Sequence, residues 1–137
     1  MPALGRSELK FELPKVIKMD NKEFSKQLEK RTKNFAISII KLSVLLPNTH
    51  ESKVIKHQIT KSGTSIGANY REANRSRSKA DFKNKIKICE SEASETVYWL
   101  EIILDLNYYD IEKVQFILNE ANEILAIFTS IGKTLKL

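Results

Sequence analysis

The chain reads as all-α, an antiparallel up-down-up-down four-helix bundle, and three observations predict it. Four long segments repeat apolar or small residues every three or four positions, the spacing that stacks side chains on one face of a helix. Only four glycines and three prolines punctuate 137 residues, too few turn residues for a many-stranded fold. Capping residues stand before each segment at Asp20, Asn48, Ser78 and Asp110.

Residues 1–20 mix apolar and basic groups without a helical period and contain Pro14, so they read as an extended or mobile N-terminal arm. The bundle is expected over 21–137, with helices at about 22–46, 50–74, 79–106 and 111–133. Asp20 with Glu23 three positions on forms a capping box for the first helix. Its expected inward stripe is Phe24, Leu28, Phe35, Ser38, Leu42 and Leu45, interrupted by Arg31. Around Ile37, Ile39, Ile40, Val44 and Leu46 this helix is apolar nearly all round, more than one neighbouring helix covers, and Pro47 stops it. Asn48 with Glu51 is the expected cap of the second helix, whose stripe is Ile55, Ile59, Ser62, Ile66, Asn69 and Ala73. Ser78 with Asp81 caps the third, with Phe82, Ile86, Cys89, Ala93, Thr96, Leu100 and Ile103 inward. Asp110 caps the fourth, with Ile111, Val114, Leu118, Ala121, Leu125 and Phe128 inward, flanked by Ile117, Ile124 and Ile131. Short turns between long helices make sequential neighbours antiparallel.

A chain of this length suits one domain, and 42% apolar with 29% charged residues is a globular balance. The single cysteine rules out an internal disulfide and a multi-cysteine metal site, and it fits a reducing compartment, with the cytoplasm as the expected location. The first twenty residues lack the apolar core of a signal peptide, and no stretch has the roughly 18 uncharged residues of a membrane span. No membrane role is expected.

The formal charge of +6 acquires a direction once the topology is assumed. The start of the first helix, the second turn and the end of the fourth helix then share one end of the bundle. Residues 22–34, 71–87 and 130–137 hold fourteen cationic and four acidic side chains, net +10, which leaves −4 for the rest. The densest run is Arg71, Arg75, Arg77, Lys79, Lys83, Lys85 and Lys87. Lysines at a helix N-terminus oppose the macrodipole, so helix stability does not explain them. An anion-binding surface for RNA or DNA backbone does, since arginine forks onto phosphate and lysine acts as a point charge. A solvated turn that serves solubility is the competing account. No interleaving of aromatic and basic residues supports base-specific readout.

The run Gln58-Ile59-Thr60-Lys61-Ser62-Gly63-Thr64-Ser65-Ile66-Gly67-Ala68-Asn69-Tyr70-Arg71-Glu72-Ala73 resembles the signature of the small bacterial 23S rRNA-intervening-sequence proteins. Ser76-Arg77-Ser78-Lys79-Ala80-Asp81-Phe82 and Glu90-Ser91-Glu92-Ala93-Ser94-Glu95-Thr96-Val97-Tyr98-Trp99-Leu100-Glu101 resemble its second block. The likeness spans roughly residues 22–133 and leaves the arm outside. It implies a four-helix bundle that assembles into a ring, commonly a homopentamer. It also implies similarity to the accessory proteins of diversity-generating retroelements, which bind nucleic acid and a reverse transcriptase. No demonstrated activity comes with the family.

Arg31, Gln58, Ser62, Ser65, Asn69, Glu72, Glu92 and Glu95 lie on or beside the inward faces. They are expected to meet as a polar layer, with Arg31 as the cation, because buried charge needs a partner. A subunit interface and a small-molecule site are the other readings. His50 and His57 stand in no Glu-x-x-His setting, so no metal and no cofactor are expected. Cys89 on the third stripe reads as a small core residue. Gly63 and Gly67 read as sites of close helix or subunit approach. Tyr98 and Trp99 are candidate oligomer contacts, and the apolar excess of the first helix points the same way. The expectation is thus a non-enzymatic, ring-forming accessory protein with a basic nucleic-acid-binding end. The alternative is a protein-interaction module that binds no nucleic acid.

Overall fold

The computed structural model describes residues 21–135. The arm expected over 1–20, including the cap at Asp20, lies outside them. Four helices follow in order: α1 Asn21–Leu45, α2 His50–Ala73, α3 Lys79–Asp105 and α4 Ile111–Thr134, each boundary within one residue of its expected place. The described residues contain no strand. The chain forms two compact units, Met1–Arg31 and Thr32–Leu137, with the boundary inside α1. Of the first unit, the described residues 21–31 form the opening turns of α1, in which Leu28 is buried.

The second unit holds the rest of α1 and the other three helices, and its cross-helix contacts run in opposite chain directions. Between α2 and α3, Lys85 meets Glu72, Cys89 meets the Ile66 carbonyl and Thr96 meets Ser62. One number rises as the other falls, so α2 and α3 are antiparallel. Thr32 faces Gly67 and Ile39 faces Gly63, which makes α1 antiparallel to α2. Thr129 on α4 donates to the Glu90 carboxylate on α3 at 2.8 Å, and α4 lies against α3 along its length. This is the up-down-up-down four-helix bundle.

The caps hold with one correction. Ser78 Oγ accepts from Asp81 N at 3.1 Å, and Asp110 Oδ1 accepts from Lys113 N at 3.1 Å, each satisfying a first-turn donor that the helix leaves open. For α2 the cap is Thr49, not Asn48: its extended backbone lets Oγ1 accept from Ser52 N at 3.2 Å. Asn48, one residue too early to reach that turn, accepts from Lys56 Nζ at 2.9 Å instead. Helix α3 ends with Asn107 in the left-handed region at φ 58°. Asn107 N donates to the Leu104 carbonyl and Tyr108 N to that of Ile103, a Schellman closure for which asparagine is the tolerated alternative to glycine.

The buried face of α1 also differs from the expected stripe. Thr32, Phe35, Ile39, Leu42 and Leu46 are buried, whereas Ser38 is half-buried and Leu45 is exposed. An all-apolar stretch offers two overlapping faces, and the partner helix selects one of them. A Cβ on Gly63 would stand 2.9 Å from Ile39 Cγ2, and one on Gly67 would stand 3.0 Å from Thr32 Oγ1. The missing side chains on α2 therefore admit Ile39 and Thr32, which fixes the face turned inward. On α2 the stripe passes through Tyr70 rather than Asn69. Tyr70 is buried with its ring edge-on to Phe128 at 5.4 Å, while Asn69 is half-buried and donates to the Ser65 carbonyl on its own helix. On α4, Ile111 is exposed and Leu125 half-buried, while the flanking Ile124 and Ile131 are buried, together with Ile127, which lay outside the expected stripe. Each fully buried isoleucine contributes about 1.5–3 kcal/mol of burial energy, so the core rests on residues such as Ile39, Ile59, Ile66, Ile86 and Ile103.

Cys89 is buried in this core, where burial pushes its thiol up to about 12 and its Sγ–H points at the Ile66 carbonyl oxygen, 3.6 Å away. It packs as a small apolar residue and carries no nucleophilic character at neutral pH.

Candidate nucleic-acid interface

The turn between α2 and α3 is built by two helix ends that close on themselves. Arg75 N and Ser76 N donate to the Glu72 and Ala73 carbonyls, and Ser78 then opens α3. The side chains of Arg75, Arg77 and Lys79 leave this turn exposed, and none has a carboxylate partner among the described residues. Arg71, one turn earlier on α2, is exposed as well.

The seven predicted cations do not form one uniform patch. Arg77, Lys79 and Lys83 line a cleft of about 420 Å³ that also takes in Phe82 from α3 and Thr134 and Leu135 from the end of α4. The second turn and the end of α4 thus do share one end of the bundle. Lys85 turns instead toward α2 and donates to Glu72 Oε1 at 2.6 Å. That hydrogen bond and the paired charge hold the Glu72 carboxyl below its ordinary range and the Lys85 ammonium above its own. Lys85 is therefore partly neutralised. Lys87 lines a different groove, between α3 and α4, whose wall also includes Glu90 and Glu95.

The residues expected to meet as a polar layer differ in depth. Ser62 is fully buried, but its partner is Thr96, hydroxyl to hydroxyl at 2.9 Å, and Thr96 belonged to the apolar stripe in the sequence reading. Gln58 and Arg31 are half-buried. Glu95 is exposed and accepts from Trp99 Nε1 at 3.1 Å. Glu92 is half-buried, and desolvation, then the neighbouring Glu95 charge, raises its carboxyl above the ordinary range. Helical periodicity alone places residues three or four apart on a shared side, which is why Glu92 and Glu95 looked inward. Only packing tells the centre of that side from its margin.

Tyr98 is exposed, and its ring meets the half-buried Trp99 edge-on at 5.0 Å. More apolar surface lies elsewhere. Val44 is 73% exposed on α1 and Phe116 is 76% exposed on α4, with Ile37, Ile40, Leu45 and Ile111 also open. Leu42, Leu45, Tyr109, Phe116 and Ile117 line a groove of about 480 Å³ between α1 and α4. The sequence signalled the α1 half through its all-round apolar character. Phe116 lies off the expected stripe of α4, two positions from Val114 and two from Leu118.

Among the described residues no three histidine, cysteine or carboxylate side chains gather as a metal site would require, and no helix is long and apolar enough to cross a membrane.

No curated protein matches this chain significantly. Among solved structures it is similar to a protein of unknown function from the S23 ribosomal protein family of Bacteroides thetaiotaomicron VPI-5482. The two are 42% identical with a TM-score of 0.72, over 77% of this chain and 98% of the other. The family model for the 23S rRNA-intervening sequence protein matches residues 25–130, which takes in the whole cleft wall supplied by α3 and nearly all of the four helices. With both signature blocks, the bundle and this match in agreement, the chain belongs to the 23S rRNA-intervening sequence protein family.

Proposed function

We propose that this chain is a non-enzymatic, ring-forming accessory protein of the cytoplasm that holds RNA or DNA backbone at its basic end. The observation that carries the reading is the exposure of Arg75, Arg77 and Lys79 at one turn with no carboxylate partner among the described residues. Such cations gain little for folding, and they are suited to replace the counterions of a phosphate chain. A pentameric ring with parallel subunits would gather these ends into one positive face, and a reverse transcriptase is the kind of protein such a ring would serve. Charge reversal of Arg75, Arg77 and Lys79 together is expected to abolish retention of single-stranded RNA and DNA at low salt while circular dichroism stays helical. Unchanged retention overturns the reading.

A second reading, a protein-interaction module, is favoured by the open apolar groove between α1 and α4. Under the ring reading that groove is a subunit seam, so Phe116→Ser lowers the mass seen by light scattering. If the mass holds and only capture of a partner protein is lost, the groove serves the second function.

A further inference from the structure

The cleft at the basic end differs in charge from the other two described. The α1–α4 groove sets Lys41 and Lys113 against Glu112 and Glu120, and the α3–α4 groove sets Lys87 against Glu90 and Glu95. Among the described residues the end cleft is lined by Arg77, Lys79 and Lys83 and by no acidic side chain, Asp81 lying outside its wall. Three like charges converging on one concavity repel one another, and an anion seated among them relieves that repulsion.

Size and hydrogen-bonding character narrow the ligand. A cavity of about 420 Å³ is of the size that takes a small molecule, not a duplex, and an interior stretch of strand would have to enter and leave it. Its wall is not purely ionic. Ser78 Oγ accepts from Asp81 N, which leaves its proton to donate to an anion. Thr134 Oγ1 donates to the Ile131 carbonyl at 2.8 Å, which leaves its lone pairs to accept from a sugar hydroxyl or a base N–H. Half-buried Phe82 adds an aromatic side chain to the same wall.

From these features we infer that the cleft binds the phosphorylated terminal nucleotide of a nucleic acid strand, its phosphate monoester on Arg77, Lys79 and Lys83 and its nucleoside against Phe82 and Thr134. A terminal monoester carries nearly two negative charges where an interior diester carries one, so it gains more from the three cations that line this cleft. The inference rests on the backbone-binding reading and adds end recognition to it.

Fluorescence anisotropy with the full chain tests it, using labelled single-stranded oligonucleotides of one sequence that carry a 5′-phosphate, a 3′-phosphate or hydroxyls at both ends. At least one phosphorylated end is expected to bind more tightly than the hydroxyl form by on the order of tenfold, the gain from added charge-assisted hydrogen bonds. Lys79→Gln, at an exposed position that does not threaten folding, is expected to erase that preference, whereas Arg75→Gln, outside the cleft, weakens all three forms alike. Adenosine monophosphate is expected to compete better than inorganic phosphate, and Phe82→Leu to remove that advantage. Equal binding of all three oligonucleotides, with Arg75→Gln still weakening them, overturns end recognition and leaves backbone binding standing. Loss of both overturns both. Competition by inorganic phosphate as strong as by the nucleotide overturns the nucleoside half of the assignment.

Discussion

The hydroxyls of Ser62 and Thr96 share a 2.9 Å hydrogen bond between α2 and α3, and neither residue has any exposure to solvent. The pair is asymmetric. The single proton of Thr96 Oγ1 has the Glu92 carbonyl at 2.8 Å as its alternative acceptor, whereas the alternative for the Ser62 proton is the Ile59 carbonyl at 3.4 Å. Thr96→Val therefore strands a buried serine and is expected to cost about 1–3 kcal/mol, while Ser62→Ala leaves Thr96 bonded and costs about 0.5–1.5 kcal/mol. The double variant should cost less than the sum of the two. Urea denaturation of the three proteins measures this, and equal single costs would contradict the asymmetry.

Two glycines in helices should respond in opposite ways to alanine. At Gly63 a methyl group would press on three side-chain atoms of fully buried Ile39, at 2.9 to 3.2 Å, so Gly63→Ala is expected to destabilise by about 1–3 kcal/mol through overpacking. At Gly132 a methyl group meets nothing within 4 Å, and Gly132→Ala should stabilise by about 0.5–1 kcal/mol through the lower entropy of the unfolded chain. Thermal denaturation resolves the signs.

Ser52, in the first turn of α2, is fully buried, and its Oγ has no partner among the described residues. Its backbone N–H goes to Thr49, so the side chain contributes nothing to the cap. Ser52→Ala removes a desolvated hydroxyl and is expected to raise stability by about 1 kcal/mol. A lower midpoint in urea would show that the hydroxyl is satisfied in solution.

The Glu72–Lys85 pair predicts a pH dependence with a definite sign. The Glu72 carboxyl titrates below its ordinary 4.5 in the folded chain, so its contribution is present above that pH and fades as pH falls through the lowered value. The Lys85 ammonium titrates above 10.5, so its contribution is present below that pH and fades as pH rises through the raised value. Carboxyl-carbon NMR should find Glu72 titrating low in the native chain and at its ordinary value in Lys85→Gln. Glu72→Gln also frees one cation at the basic end. If Lys85 then joins a phosphate, the slope of log affinity against log salt steepens by about 0.7–0.9.

Much of this molecule is legible in its sequence. Four helices, their boundaries, the caps at Ser78 and Asp110, and the closeness of approach at Gly63 and Gly67 all follow from local rules: period, side-chain oxygens at helix starts, and the absence of a Cβ. Family membership was legible as well, because its two blocks lie on the helices that face each other across Ser62 and Thr96.

Only the tertiary structure decided which residue within a run faces inward. Ile39 rather than Ser38 and Tyr70 rather than Asn69 differ by a single position, and one position is 100° of rotation on a helix. Local spacing tolerates such a shift, whereas a neighbouring helix with a glycine at one level does not. The charge behaved the same way. That the region around 71–87 is cationic is a property of the sequence, but Lys85 was withdrawn by Glu72 thirteen residues away, and Arg77, Lys79 and Lys83 acquired a common cleft only when the end of α4 arrived to close it. Coulomb interactions depend on distance through space, and that distance is set by the folded bundle.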